Sequence, residues 1–165
     1  MDWSRVTIRE EVRPGDAEAV RAIVASAGFF HDFEIDVAVE LVEERLARGP
    51  ASGYFFLFAE STGRVIGYSC YGPIACTVGS YDLYWIAVHA DCRGRGLGRR
   101  LLRLTEERIA AAGGRRVYVE TSSRELYQPT QRFYEHCGYR REALLQDFYA
   151  VGDGKLIYCR VVGES

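Results

Sequence analysis

Ile86-Ala87-Val88-His89-Ala90-Asp91-Cys92-Arg93-Gly94-Arg95-Gly96-Leu97-Gly98-Arg99-Arg100 is the stretch on which the reading of this chain turns. It opens as a buried-looking β segment and passes through a glycine-rich turn into a helix. That helix carries Leu97, Leu101, Leu104 and Arg108 on one face, with Leu102, Thr105 and Ile109 beside it. Glycines at such a turn let backbone N–H groups come close to a ligand, and the first helical turn leaves further donors unpaired. The helix dipole adds partial positive charge at the same place, and the combination binds phosphate. Five arginines stand between Arg93 and Arg103, with Asp91 the only acid nearby. Cations at a helix N-terminus meet an unfavourable dipole term of about 0.3–1 kcal/mol each. A bound anion reverses that sign, because amides, dipole and guanidinium groups then act together.

Outward from this loop the chain alternates strands and helices. Towards the N-terminus, Tyr81 to Val88 is β-rich, and Tyr54 to Phe58 with Arg64 to Tyr71 reads as a hairpin around Ser61-Thr62-Gly63. Ile35, Ala38, Val39, Val42 and Leu46 recur at helical spacing before Gly49-Pro50, and Val20, Ile23, Val24 and Ala27 do so before Gly28. Asp16, after Pro14-Gly15, is placed to cap that first helix, and Val6 to Arg9 is a first strand. Towards the C-terminus, Gly113-Gly114 ends the arginine-bearing helix and a strand follows around Val117 and Val119. A helix from Pro129 to Cys137 comes next, and Tyr139 to Tyr149 with Lys155 to Val162 closes the chain as a hairpin. Strands feeding helices in this order predict an α/β layered domain.

The bulk numbers narrow the class. At 165 residues, 48% apolar and 27% charged, the chain suits one globular domain over 1–165. Its apolar runs are too short to span a bilayer and its first residues carry no signal-peptide core, so a cytoplasmic protein with no membrane partner is expected. A net charge of −2 gives no global field for nucleic acid. Cys70, Cys76, Cys92, Cys137 and Cys159 are odd in number and widely spaced, a pattern of reduced thiols rather than a disulfide framework or a zinc site. The glycine loop itself excludes two nucleotide motifs. Counting from Gly94, the sixth position of a dinucleotide fingerprint is Arg99, and there is no Gly-Lys-Ser/Thr.

Arg93, Gly96 and Gly98 instead satisfy the pattern Gln/Arg-x-x-Gly-x-Gly/Ala, between a hydrophobic strand and an amphipathic helix. Arg132-Phe133-Tyr134-Glu135-His136-Cys137-Gly138-Tyr139 fits Phe-Tyr-Glu-x-x-Gly-Phe/Tyr. On these segments the chain resembles the GNAT superfamily of CoA-dependent N-acetyltransferases. The resemblance is specific from Tyr81 to Tyr139, while the first half agrees in element order. It departs from the family at Tyr127, where Asn is common and often contacts CoA, and at Thr130, where Ala is usual.

The resemblance implies a mixed, mostly antiparallel sheet of six to seven strands, flanked by about four helices, with splayed central parallel strands. It implies acetyl-CoA as co-substrate and no metal. The backbone of Ile86, Ala87 and Val88 would pair with the pantetheine arm, and the Ile86 N–H would meet the acetyl oxyanion. Arg93, Gly94, Arg95, Gly96, Leu97, Gly98 and Arg99 would hold the pyrophosphate. Tyr134 would protonate the CoA sulfur, and Asp82 would take the proton of the attacking amine, with Glu120, a water relay and His89 as competitors. The acceptor would be a small primary amine, gathered by Phe29, Phe30, His31, Phe33, Glu34 and Asp36, and by Asp147, Phe148, Tyr149 and Asp153. Protein or peptide N-acetylation and a non-catalytic acyl-CoA-binding domain are the alternatives. A homodimer is compatible with the pattern.

Overall fold

A computed structural model describes residues 2–163. Its elements are β1 (Val6–Arg9), α1 (Asp16–Ala25), α2 (Asp32–Arg48), β2 (Phe55–Ser61), β3 (Arg64–Pro73), β4 (Ser80–Val88), α3 (Leu97–Ala111), β5 (Arg116–Ser122), α4 (Gln128–His136), β6 (Arg140–Ala150) and β7 (Asp153–Val161). The strands form one sheet in the order β1-β2-β3-β4-β5-β7-β6. Pairing is antiparallel for β1 with β2, β2 with β3, β5 with β7 and β6 with β7, and parallel for β4 with β5. This is the mixed, mostly antiparallel α/β class expected from the sequence. The parallel ladder joins Ser80 to Arg116, Tyr81 to Val117 and Asp82 to Tyr118. Beyond it β4 runs on to Val88 and β5 to Ser122.

Contacts divide the chain into two compact units. The first comprises the residues up to Gly72 with Trp85–Thr105, and the second Pro73–Tyr84 with the residues from Glu106 onward. In the first, Val20, Ile23 and Val24 of α1 and Ile35, Ala38, Val39 and Val42 of α2 form one buried cluster with Phe56, Phe58, Tyr68 and Cys70. Each valine, isoleucine and phenylalanine of the cluster contributes about 1.5–3 kcal/mol by leaving water. Four successive residues of β2, Phe56 to Ala59, are buried, the mark of a strand covered on both faces. Tyr68 brings a fully buried hydroxyl into this cluster, and it has no hydrogen-bond partner among the described residues. Leu46 shares the spacing of the α2 face but is 39% exposed, so the buried stripe ends one turn earlier, at Val42.

Asp16 corrects a second expectation. Gly15 occupies the cap position of α1, and Asp16 turns instead to Arg9, accepting two N–H bonds at 2.8 Å, and to the Arg13 amide at 2.7 Å. Arg9 also donates to Glu60 at 2.7 and 2.9 Å, and its guanidinium lies 4.8 Å from the centre of the Phe58 ring. Magnitudes explain the choice. A helix cap is worth about 1 kcal/mol, whereas a buried charge left without its partner costs about 3–5 kcal/mol.

In the second unit, Val117, Val119, Leu156 and Tyr158 are buried together with Leu83, Ile109, Tyr134 and Tyr139. Glu106, itself buried, is tied to Arg160 at 3.1 Å and accepts the Tyr139 hydroxyl at 3.1 Å. These side chains alternate along β5 and β7 with Tyr118, Glu120, Lys155 and Ile157, which therefore point to the other face of the sheet.

Candidate functional site

The first unit carries the glycine loop. Its entry is fixed by bonds to distant parts of the chain: the His89 amide donates to the Ile66 carbonyl at 2.8 Å, and the Ala90 amide to Ser26 Oγ at 3.0 Å. His89 Nδ1 accepts the Asp91 amide at 3.3 Å, a turn-closing role. Arg93 folds back so that Nε donates to the Val88 carbonyl at 3.2 Å, tying the loop to the end of β4. Gly94 and Gly96 then take φ of +72° and +83°, a left-handed conformation that costs other residues about 1–2 kcal/mol.

Residues 93–96 are exposed, and α3 starts at Leu97, whose side chain is buried and anchors the helix start. Leu97, Gly98 and Arg99 are its first residues, so their amides have no acceptor inside the helix. Among the described residues no backbone carbonyl accepts the amides of residues 94–99. The loop thus offers exposed amides without a backbone acceptor among the described residues at the positive end of a helix, flanked by the exposed Arg95 and Arg99. Such a surface suits a diphosphate. Ile86, Ala87 and Val88 are half-buried in β4 just before it.

The second unit carries the titratable groups. Asp82 stands opposite Tyr118 in the parallel ladder, and Glu120, two residues further along β5, shares their face. With Thr77 and Ile157 they line a cavity of about 330 Å³. Burial, and then repulsion by Glu120, hold the Asp82 carboxyl above the ordinary aspartate range, while Lys155 pulls it back. A carboxylate raised towards neutrality is a better proton acceptor than a free one. Glu120 is the carboxylate tied to a cation, with Lys155 Nζ at 2.9 Å.

Lys155 completes this face. Its Nζ lies 3.8 Å from the centre of the Phe148 ring and 5.9 Å from that of Tyr149. The register of β6 and β7 explains why. It slips once between Arg141 and Ala143, is regular from Ala143–Ile157 to Leu145–Lys155, and is irregular again before it resumes at Ala150–Asp153. The extra residues of β6, with Asp147 at φ +51°, swing the two rings over the lysine. Gly154 beside it has no room for a side chain, since a Cβ there would stand 2.9 Å from the Leu145 carbonyl oxygen and 3.0 Å from Ser123 Oγ.

Tyr134 lies on α4, 6% exposed, among the rings of Phe133, Tyr139 and Tyr158 at centroid distances of 5.4, 5.6 and 6.2 Å. Burial, with a lesser contribution from Cys137, pushes its hydroxyl far above the usual phenol range, so it keeps its proton at neutral pH.

The residues expected to gather an acceptor are mostly engaged. Phe30 packs edge-on against Trp85 at 5.3 Å, His31 stacks on Phe33 at 5.5 Å, and Glu34 accepts the His31 amide at 2.8 Å. Asp36 pairs with Arg21 at 3.0 Å, Asp147 accepts the Gly152 amide at 2.8 Å, and Asp153 pairs with Arg124 at 3.3 Å. A larger hollow of about 570 Å³ beside α1 includes Arg9, Asp16 and Glu60, whose charges are matched to one another. Sequence reasoning did not place Lys155 or Tyr118 in the site. Lys155 had a signal, being the one lysine of the chain, whereas Tyr118 had none.

Comparison with known proteins bears on this geometry. A sequence model of the Acetyltransferase (GNAT) family matches residues 18–139. A protein of Desulfovibrio desulfuricans, assigned to the GNAT family as an acetyltransferase, is 48% identical in sequence. The two superpose with a TM-score of 0.93 over 94% of this chain and 98% of that one. An uncharacterized N-acetyltransferase of Methanocaldococcus jannaschii is 32% identical over 110 residues. That match spans 62% of this chain and 63% of the relative, less than two thirds of its length. An aminoglycoside 6′-N-acetyltransferase, solved in complex with coenzyme A, shares the fold with a TM-score of 0.74 at 18% identity. There 94% of this chain and 96% of that one are covered.

Proposed function

The chain belongs to the GNAT family of acetyltransferases, and from that premise we propose that it moves an acetyl group from acetyl-CoA to the primary amine of a small molecule. The observation that carries the reading is the loop at residues 93–99: two left-handed glycines, amides without a backbone acceptor among the described residues, and exposed arginines at the start of α3. It fits a diphosphate by geometry and by sign of charge. The fold-sharing aminoglycoside acetyltransferase, which carries coenzyme A, supports the same ligand here.

Acetyl-CoA supplies an activated acyl group as a thioester. The chain's own part is to hold it and to manage two protons. The backbone of Ile86, Ala87 and Val88 is assigned to the pantetheine arm, with the Ile86 N–H as the oxyanion donor. Arg93 through Arg99 is assigned to the pyrophosphate. Asp82 is the proton acceptor for the incoming ammonium, favoured over Glu120 because Lys155 already neutralises the latter. Tyr134 is the proton donor for the leaving sulfur, supported by a hydroxyl that stays protonated at neutral pH. The cavity beside Asp82, about 330 Å³, is at the small end of ligand pockets and supports a compact acceptor.

The test has two parts. Calorimetry with CoA and acetyl-CoA should give saturable heat, and a panel of amines with thiol detection should release CoA. No heat from the intact protein would sink the reading.

A further inference from the structure

Of the 21 lysine and arginine side chains in the chain, all but Lys155 are arginine. Arginine serves the other cationic roles: it pairs with Asp16, Asp36, Asp153 and Glu106, and it covers the rings of Phe55 and Phe58. A salt bridge to Glu120 would be met at least as well by arginine, whose fork matches a carboxylate. Lysine differs in one chemical respect. Its nitrogen can give up a proton and become a nucleophile, whereas a guanidinium stays charged.

The placement of that nitrogen follows the same logic. Lys155 Nζ is 2.9 Å from Glu120 Oε2 and lies under the Phe148 and Tyr149 rings, with the side chain 13% exposed. It shares a sheet face with Asp82 and lies near enough to act on that carboxyl. An amine is therefore held against the Glu120 carboxylate under an aromatic cover, on the sheet face that also carries Asp82. An acceptor amine needs that setting: electrostatic capture, partial desolvation and a base at hand.

We propose that Lys155 is itself an acetylation site, modified in place by the acetyl thioester that the enzyme binds. The inference rests on the reading of Asp82 as the base that faces the thioester. In the step, the ammonium of Lys155 gives one proton, by way of the Glu120 carboxylate it touches, to the Asp82 carboxylate that lines the same cavity. Nζ attacks the acetyl carbonyl carbon, the N–C bond forms and the C–S bond breaks. The second proton lost by nitrogen leaves with the sulfur as free CoA thiol, and the proton on Asp82 passes to solvent. The product amide has no charge, so Glu120 is released, and the acetyl group occupies the space beside Asp82. The modified enzyme turns over external amines more slowly.

Pure protein is incubated with acetyl-CoA and no amine, and its mass and tryptic map are read. One acetyl group on Lys155 abolishes cleavage there and joins Glu142 to Arg160 in a single peptide. The expected result is that peptide in the native protein, and its absence from Lys155→Arg and from an Asp82→Asn variant that still binds CoA. Unmodified Lys155 in protein that binds CoA and acetylates the amine panel overturns the inference and leaves the proposed function standing. Equal labelling of Asp82→Asn, or label on the N-terminal amine alone, overturns it as well. Absence of both CoA binding and amine turnover removes the proposed function and this inference together.

Discussion

On the proposed reading, the two units meet chemistry by different means. The first offers backbone: an exposed loop whose amides have no backbone acceptor among the described residues, shaped by two left-handed glycines and by Arg93 fastened to the end of β4. The second offers side chains: Asp82, Tyr118, Glu120, Lys155 and Phe148, contributed by four different strands to one face. A backbone site tolerates exchange of most side chains but not of the conformation, whereas a side-chain site tolerates conformational play but not loss of a functional group. Substitutions should therefore fall into two classes, one acting on CoA affinity and the other on turnover.

The largest effect is expected from the side-chain half. Asp82→Asn should lower kcat by about 10²–10⁴-fold, the range of general acid–base catalysis, while calorimetric affinity for CoA stays as it was. Equal loss of both would break the division. Gly96→Glu should do the opposite. A carboxylate set among the amides proposed to hold the pyrophosphate costs several kcal/mol, so CoA binding should weaken by about 100-fold or more. The melting temperature should fall by only a few degrees, since the loop is exposed and the left-handed φ of Gly96 costs another residue about 1–2 kcal/mol.

Tyr134→Phe should reduce kcat by about tenfold or more with KM nearly unchanged, if the hydroxyl acts only on the departing sulfur. The pH profile sharpens the same contrast. Asp82 must be ionised to accept a proton, so kcat/KM should rise with pH through an apparent pKa above that of an ordinary aspartate. Glu120→Gln removes the neighbouring negative charge and should shift that limb to lower pH; a shift to higher pH would contradict the electrostatic account. The smallest effect belongs to the apolar core of the first unit. Tyr68→Phe deletes a buried hydroxyl without a partner and should raise stability by about 1 kcal/mol in denaturant unfolding.

The same division explains what could be read in advance. Local patterns carried the elements: β1 runs Val6–Arg9 as expected, and α2 opens and closes around the predicted apolar face. The glycine loop was visible because a backbone site writes itself into contiguous sequence, as Gly94, Gly96 and the arginines show. Long-range pairings were not visible. Asp16 looked like a helix cap, since Arg9, which claims it, stands in the preceding strand across an irregular turn and is itself fixed by Glu60 only through the pairing of β1 with β2. Lys155 likewise reads as the residue after a tight turn, and it meets Glu120 only because β7 lies beside β5. The insertion of β7 between β5 and β6 left no mark in local periodicity.

The irregular stretch of β6 between Leu145 and Ala150 has a consequence for solubility. β6 is one of the two edge strands of the sheet and is exposed along almost its whole length, Leu144, Leu145, Phe148 and Tyr149 included. A straight, apolar border of that kind invites a neighbouring molecule to add its own strand and begin a fibril. The kink interrupts the row of amides at its most apolar point, and Arg140, Arg141 and Glu142 guard the other end. Trimming the hairpin to ideal geometry would remove both the cover over the lysine and the barrier to aggregation.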